Sequence, residues 1–362
     1  MRLLIAYGGG WSNVSGKGKH FHLKELSNTL QKFDVECKLV NDIDYARGFP
    51  SKKLGEWITG KKKFKSLIKE FSPDAILIDR LGHFGSAAID AKIPLFILLR
   101  GNYWLDLESS KKTLYNDKKM RAVIWFRNRI AEKCFKNATV LLPICRYLEN
   151  VVKERYPNQD TSVFFEGVDS SHWYNGDEIQ LTHPCVGLLQ DANVWIKTKE
   201  MLVLKKVLEK MPDVNFYWAG DGPYKDRIIS ELSKFENFKW LGRLQYPEKV
   251  RKFLSSIDVY ALPSGLDTIP LTLKEAQLLE KPVIATNVGG IPEGLQKNQT
   301  GFLVEEGDHK GWIDKISILI NDKDEAKKMG CKGKEFVEKN FNWGITAKNF
   351  VNVTKSYIKN RN

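Results

Sequence analysis

Short apolar runs alternate with amphipathic stretches along almost the whole chain, and few folds accept that rhythm. "RLLIAY" (2–7) reads as a buried strand, and "HFHLKELSNTLQKF" (20–33) carries apolar residues at helical spacing. "VECKLV" (35–40), "AILID" (75–79), "PLFILL" (94–99) and "ATVLLP" (138–143) follow as strands. A second series holds "CVGLL" (185–189), "NFYWAG" (215–220), "FKWLG" (238–242), "DVYALP" (258–263), "PVIAT" (282–286) and "GFLV" (301–304). Strands that alternate with helices build parallel, doubly wound sheets.

Between the two series lies "EGVDSSHWYNGDEIQLTHP" (166–184), which is polar, rich in turn residues and aperiodic. Two Rossmann-like domains facing across a cleft are therefore expected, over 1–170 and 171–344. The helical tail, about 345–362, should pack back on the first domain. Ligands of such sheets sit beyond the carboxyl ends of the strands, which directs attention to the loops there.

Charge narrows the partners. The net charge is +13, and residues 1–175 hold 29 Lys and Arg against 19 Asp and Glu. Residues 176–362 hold 28 against 25. A basic first half fits an anionic partner such as a lipid surface or a phosphorylated substrate, or equally a plain soluble lysine-rich face. The basic, aromatic stretch "KKMRAVIWFRNRIAEKCFK" (118–136) makes contact with an anionic membrane one option, and a solvated helix face the other. No nucleic-acid motif with interleaved aromatics occurs, so nucleic acid is not an expected partner. No run of about 18 apolar residues is present, and the five-residue apolar start is too short for a leader. A cytoplasmic protein is expected, peripheral at most to the inner membrane face. The five cysteines are scattered without a C-x-x-C pair, so the spacing indicates neither a zinc site nor a disulfide frame.

The stretch "SGLDTIPLTLKEA" (264–276) places two carboxylates, Asp267 and Glu275, on either side of a proline. One continuous helix cannot hold both, because Pro270 would break it. A loop that becomes a helix at Pro270 can, with the proline at the first helical position. Asp267 then lies in the loop and Glu275 one turn into the helix. Amide donors at the helix start lie between the two acids.

Other candidates are weaker alone. The glycine-rich "YGGGWSNVSGKGKH" (7–20) follows the first strand, and Gly9 and Gly10 could let backbone approach a phosphate. A flexible surface loop is the alternative. The dinucleotide fingerprint fails there because Asn13 takes the third glycine's place, and the Walker pattern fails too. "NDID" (41–44) contains a D-x-D that reads better as a surface turn than as a metal site. "WAGDGPY" (218–224) ends a strand with Gly220 and Gly222 in a tight turn. His83 and Arg100 both follow apolar strands and should face the first domain's ligand edge. A structural role is the default for a lone histidine. A strand-end arginine beside Gly101 can reach an anion.

Several of these motifs together resemble one family. The spacing Asp267, Pro270, Glu275 and Ala276 is similar to the paired-acid signature of group 1, family 4 retaining glycosyltransferases of GT-B fold. "AGDGPY", "WLGRL" (240–244), "PVIATNVGGIPE" (282–293) and "TGFLVEEGD" (300–308) match in order, and "FFEGVDSSHWY" (164–174) resembles the domain junction. Residues 1–163 match mainly in rhythm. Four positions depart from the pattern. Asp267 stands for Glu, Leu188 for a donor-clamping Arg, Arg100 for His, and Glu166 for Asn.

The resemblance implies transfer of a sugar from a UDP- or GDP-linked donor, with retained configuration, to a glycan, lipid-linked or small-molecule acceptor. It implies that Glu275 accepts hydrogen bonds from ribose hydroxyls and that Asp267 holds sugar hydroxyls. Lys197, Lys199 and the amides of Leu271 and Thr272 would meet the diphosphate, with Gly220, Gly222, Thr268, Ile269 and Pro270 around the donor. Arg243 and Leu244 would meet the base, Arg100 would be catalytic together with Asp267 and Glu275, and Gly9, Gly10 and His83 would serve the acceptor or a phosphate. No metal and no other cofactor is expected. A non-catalytic sugar-nucleotide binder, or another GT-B enzyme such as a sugar epimerase, stays open.

Overall fold

The computed structural model of the chain describes residues 1–8, 17–41, 44–45, 54–113 and 118–359. Gly9, Gly10 and most of the glycine-rich loop lie outside the described residues, as does Asp42 of the D-x-D. Two units are distinct: Met1–Gly167 with Trp343–Asn362, and Val168–Asn342.

The first unit is a five-stranded parallel sheet of β1 (Arg2–Tyr7), β2 (Glu36–Asn41), β3 (Ala75–Ile78), β4 (Leu95–Leu99) and β5 (Val140–Pro143), ordered β2-β1-β3-β4-β5. β1, β3, β4 and β5 are almost wholly buried, which explains their unbroken apolar runs. The tail forms the helix Trp343–Lys359, which packs on the helix Lys17–Gln31. Trp343, Ala347 and Phe350 join Leu3, Ile5, Phe96 and Leu98 in one core. The Trp343 indole donates to Glu25 Oε2 at 2.9 Å, and the Thr346 hydroxyl donates to the Phe165 carbonyl at 2.6 Å.

The second unit is a six-stranded parallel sheet of β6 (Cys185–Leu189), β7 (Asn215–Ala219), β8 (Phe238–Gly242), β9 (Val259–Leu262), β10 (Val283–Thr286) and β11 (Gly301–Val304). Its order is β11-β10-β9-β6-β7-β8. Val186, Leu188, Trp218, Ile284 and Trp312 anchor its core.

The strand orders fix where ligands belong. From β6 the chain steps to β7 on one side and later to β9 on the other, so the loops after β6 and β9 diverge at their carboxyl ends. The same reversal separates β1 from β3 in the first unit.

Candidate functional site

The loop after β9 carries the paired acids. Its helix runs Leu271–Leu278, one residue later than the sequence suggests, with Pro270 as the capping residue at φ −63° and ψ 138°. Proline's φ suits either side of a helix start, and its missing N–H costs nothing there. The helix-start amides that follow have no carbonyl one turn earlier within the helix.

Asp267 lies in the loop, as expected, and its carboxylate is ion-paired with the Lys197 ammonium. Its other oxygen accepts from the Thr268 amide at 2.9 Å, and its carbonyl accepts from the Gly290 amide at 3.0 Å. Lys197 sits in the short helix Trp195–Thr198 after β6, and its carbonyl accepts from the Gly265 amide at 3.0 Å. A Cβ on Gly265 would collide with the Ile196 carbonyl, so glycine is what lets the two loops meet backbone to backbone. Thr268 and Ile269 are buried beneath this junction.

Glu275 is buried on the helix, and its Oε1 accepts from the Tyr246 hydroxyl at 2.8 Å. Tyr246 lies in the loop after β8, and no sequence pattern signals it. The Tyr260 hydroxyl donates to Thr272 Oγ1 at 2.7 Å, clamping the first turn of the helix to β9. Burial raises the Tyr260 phenol, with Glu275 and Asp267 pushing the same way, so it stays a donor.

The remaining expected residues ring the same strand ends. A Cβ on Gly220 would strike the Gln190 carbonyl, and Gly222, at φ +146°, closes on Ala192. Arg243, half-buried after β8, directs Nη2 at both oxygens of Asp191, 3.5 Å away. Leu244 follows it, half-buried in the same loop. Asp191 also accepts from the Asp221 amide at 3.2 Å, so it ties together the ends of β6, β7 and β8. The sequence reading missed Asp191, although its place two residues past an apolar strand was a usable signal. Lys199 opens a short 3-10 turn and faces Glu306 at 3.5 Å, both nearly half exposed. Leu188 is fully buried inside β6, so the position read as a missing arginine is a core position among Val186, Trp218 and Val259.

In the first unit, the strand ends form a second polar cluster. Asp79, just past β3, accepts from the Gly8 amide at 2.8 Å and pairs with Lys19 at 3.2 Å. It also lies 3.5 Å from the Arg100 guanidinium, whose other arm pairs with the buried Glu166. Arg100 therefore stands between two carboxylates that balance its charge. His83 begins the helix His83–Asp90, buried with its ring 6.4 Å from Phe64. Burial, then Lys61 and Arg80, lowers its imidazole to about 4, so it is neutral at ordinary pH.

The comparisons agree with this architecture. Residues 197–336 match the family model described as glycosyl transferases group 1. The chain is 32% identical over 148 residues to the sulfoquinovosyl transferase SQD2 of Arabidopsis thaliana, covering 40% of this chain and 28% of that relative's length. The fold is similar to sucrose-phosphate synthase from Thermosynechococcus elongatus, with a TM-score of 0.75 at 15% identity over 98% of this chain and 99% of that one. It is also similar to Anabaena Alr3699/HepE in complex with UDP-glucose, with a TM-score of 0.71 at 16% identity over 98% and 100%. The fold is GT-B, built of two Rossmann-like parallel-sheet domains. Among the described residues, no helix is long and apolar enough to cross a membrane.

Proposed function

We propose, from the premise that residues 197–336 belong to group 1 of the glycosyl transferases, that the protein moves a sugar from a nucleotide diphosphate sugar to an acceptor hydroxyl with its anomeric configuration retained. One observation carries the reading. Asp267, Lys197 and the start of the Glu275 helix converge at the switch point of the second sheet.

The chemistry suits those groups. As the bond from the sugar to the diphosphate breaks, negative charge collects on the leaving oxygen and positive charge on the sugar. Donors fixed in advance, aimed at the leaving group, stabilise that change most. Lys197, Lys199 and the amides of Leu271 and Thr272 supply them, with the helix dipole adding its positive end. The diphosphate needs no metal on this reading, because lysine and amide groups answer its charge. Glu275, held by Tyr246, accepts from the ribose hydroxyls. Asp267 takes sugar hydroxyls once Lys197 turns to phosphate. The loop around Arg243 and Leu244 meets the base. The acceptor hydroxyl attacks the anomeric carbon on the face the diphosphate leaves, and its proton passes to the departing phosphate oxygen. Uridine is the first base to test, because HepE is a UDP-glucose complex of the same fold.

Acceptor recognition falls to the first unit, at the Asp79, Arg100 and Glu166 cluster. That unit also suits contact with an anionic membrane. Its helix Lys118–Asn137 exposes Trp125 and Phe126, flanked by the exposed Lys118, Arg121 and Arg129. A non-catalytic sugar-nucleotide binder is the rival reading, and turnover separates the two. Release of UDP from a UDP-sugar supports the transferase. Stabilisation by the nucleotide without release supports the binder.

A further inference from the structure

At the opposite end of the second sheet, the amino ends of β6 and β9 bring together three potential metal ligands that sequence spacing hides. Asp258 precedes β9 and Cys185 opens β6. The register pairs Val186 with Val259, so these two residues stand side by side. The Asp258 amide donates to the Cys185 carbonyl at 3.2 Å, and the Cys185 amide donates to Asp258 Oδ2 at 2.7 Å. His183, two residues before Cys185, has Nδ1 2.8 Å from Asp258 Oδ2 and 3.5 Å from Cys185 Sγ. The three ligand atoms lie within 4.8 Å of one another.

We propose that His183, Cys185 and Asp258 form a binding site for a borderline-soft divalent metal of the zinc type. A tetrahedral zinc ion sits about 2.3 Å from sulfur and about 2.0–2.1 Å from imidazole nitrogen, which separates those two atoms by about 3.5 Å. The observed 3.5 Å between Sγ and Nδ1 meets that spacing without movement. The nitrogen and carboxylate oxygen, 2.8 Å apart, would open by about 0.5 Å to reach tetrahedral separation. The mix of thiolate, imidazole and carboxylate selects zinc or cobalt over magnesium and calcium, which prefer oxygen alone.

The surroundings support a ligand set and not merely a strand-start hydrogen bond. The Cys185 amide already orients the carboxylate, the kind of outer contact that fixes metal ligands. His183 and Asp258 line a cavity of about 850 Å³, so a fourth position on that side is open to water. Lys281 lines the same cavity and donates to the Ser255 carbonyl at 2.7 Å. Its charge opposes a cation, and the two negative ligands, thiolate and carboxylate, offset it. Binding replaces the thiol's S–H bond with a metal–sulfur bond and releases that proton to solvent.

Cobalt(II) titration of the full chain tests the site. A thiolate-to-cobalt charge-transfer band should saturate at one ion per chain and be displaced by zinc. Cys185→Ser should abolish the band. His183→Ala, at an exposed position, should weaken cobalt binding about 10-fold or more while circular dichroism shows the variant folded. Zinc should also raise the melting temperature of the parent and not of Cys185→Ser. Absence of the band in the parent overturns the proposal, as does an unchanged band in Cys185→Ser or unchanged affinity in His183→Ala. The site lies away from the proposed donor loops, so these readouts stand whatever the outcome of a transfer assay.

Discussion

The Lys197 ammonium and the Asp267 carboxylate form an ion pair across the switch point of the second sheet, joining the short helix after β6 to the loop after β9. Both side chains are mostly buried, at 27% and 13% exposure. The pair therefore holds a cation ready at the strand ends while neutralising it. On the proposed function, a diphosphate that enters would compete with Asp267 for Lys197.

Two substitutions follow from that competition. Lys197→Met should weaken UDP binding by about 10-fold or more, roughly 1.4 kcal/mol, because Lys199 alone is exposed and turned to Glu306. Asp267→Asn should leave UDP binding unchanged or tighter, since Lys197 is released, while turnover of the UDP-sugar falls. Calorimetry with UDP, set beside turnover, checks both. Weaker UDP binding in Asp267→Asn would count against the exchange.

Glu275 and Tyr246 form the second testable pair. Glu275→Ala should lower kcat/KM at least about 100-fold, near 2.7 kcal/mol, the scale of a lost charged hydrogen bond and a stranded partner. Tyr246→Phe removes only the hydroxyl that orients Oε1 and should cost about 1 kcal/mol, mostly in KM. Circular dichroism must show both variants folded. Equal effects of the two would mean that Glu275 acts through packing and not through a ligand contact.

His83 predicts a pH dependence in the first unit. Its folded-state value of about 4 lies below the ordinary 6.5, so the unfolded chain binds the proton more tightly. The stability it contributes is complete above pH 6.5 and is lost as pH falls from 6.5 toward 4, up to about 3 kcal/mol. Urea unfolding across that window should show the fall in the parent and a flatter profile in His83→Gln. Parallel profiles would remove the histidine from the account.

The helix Lys118–Asn137 predicts surface binding. Trp125 is 52% exposed and Phe126 45%, and the Arg129 guanidinium lies 4.8 Å from the Trp125 ring centre. Each basic residue near an anionic surface adds about 1 kcal/mol, and the aromatic rings add interfacial anchoring. Sedimentation with acidic liposomes at physiological salt should retain the parent, and Trp125→Ala with Phe126→Ala should release it. Equal sedimentation with neutral liposomes would end the idea.

The strands were legible because buried parallel strands read as apolar runs. β1, β6 and β11 start and stop where "RLLIAY", "CVGLL" and "GFLV" do. The paired acids were legible because Pro270 forces a loop to become a helix between them. The pairings were not. Nothing local in "WIKTKE" shows that Lys197 meets a carboxylate 70 residues away, and nothing in "LQYPE" shows that Tyr246 reaches Glu275. Leu188 stands where the resemblance implies an arginine and is buried in the core beside Trp218 of the neighbouring strand, a pairing that only the sheet order reveals. Cys185 and Asp258 became neighbours in the same way, through the crossover that places β9 beside β6.

The most direct test of the central claim is release of nucleoside diphosphate from a panel of UDP- and GDP-sugars, with the parent and folded Glu275→Ala side by side. The parent should release UDP or GDP from at least one donor, and Glu275→Ala should release it about 100-fold or more slowly. A parent that is stabilised by these nucleotides yet releases nothing from any donor, with lipid, glycan and small-molecule acceptors supplied, would contradict it.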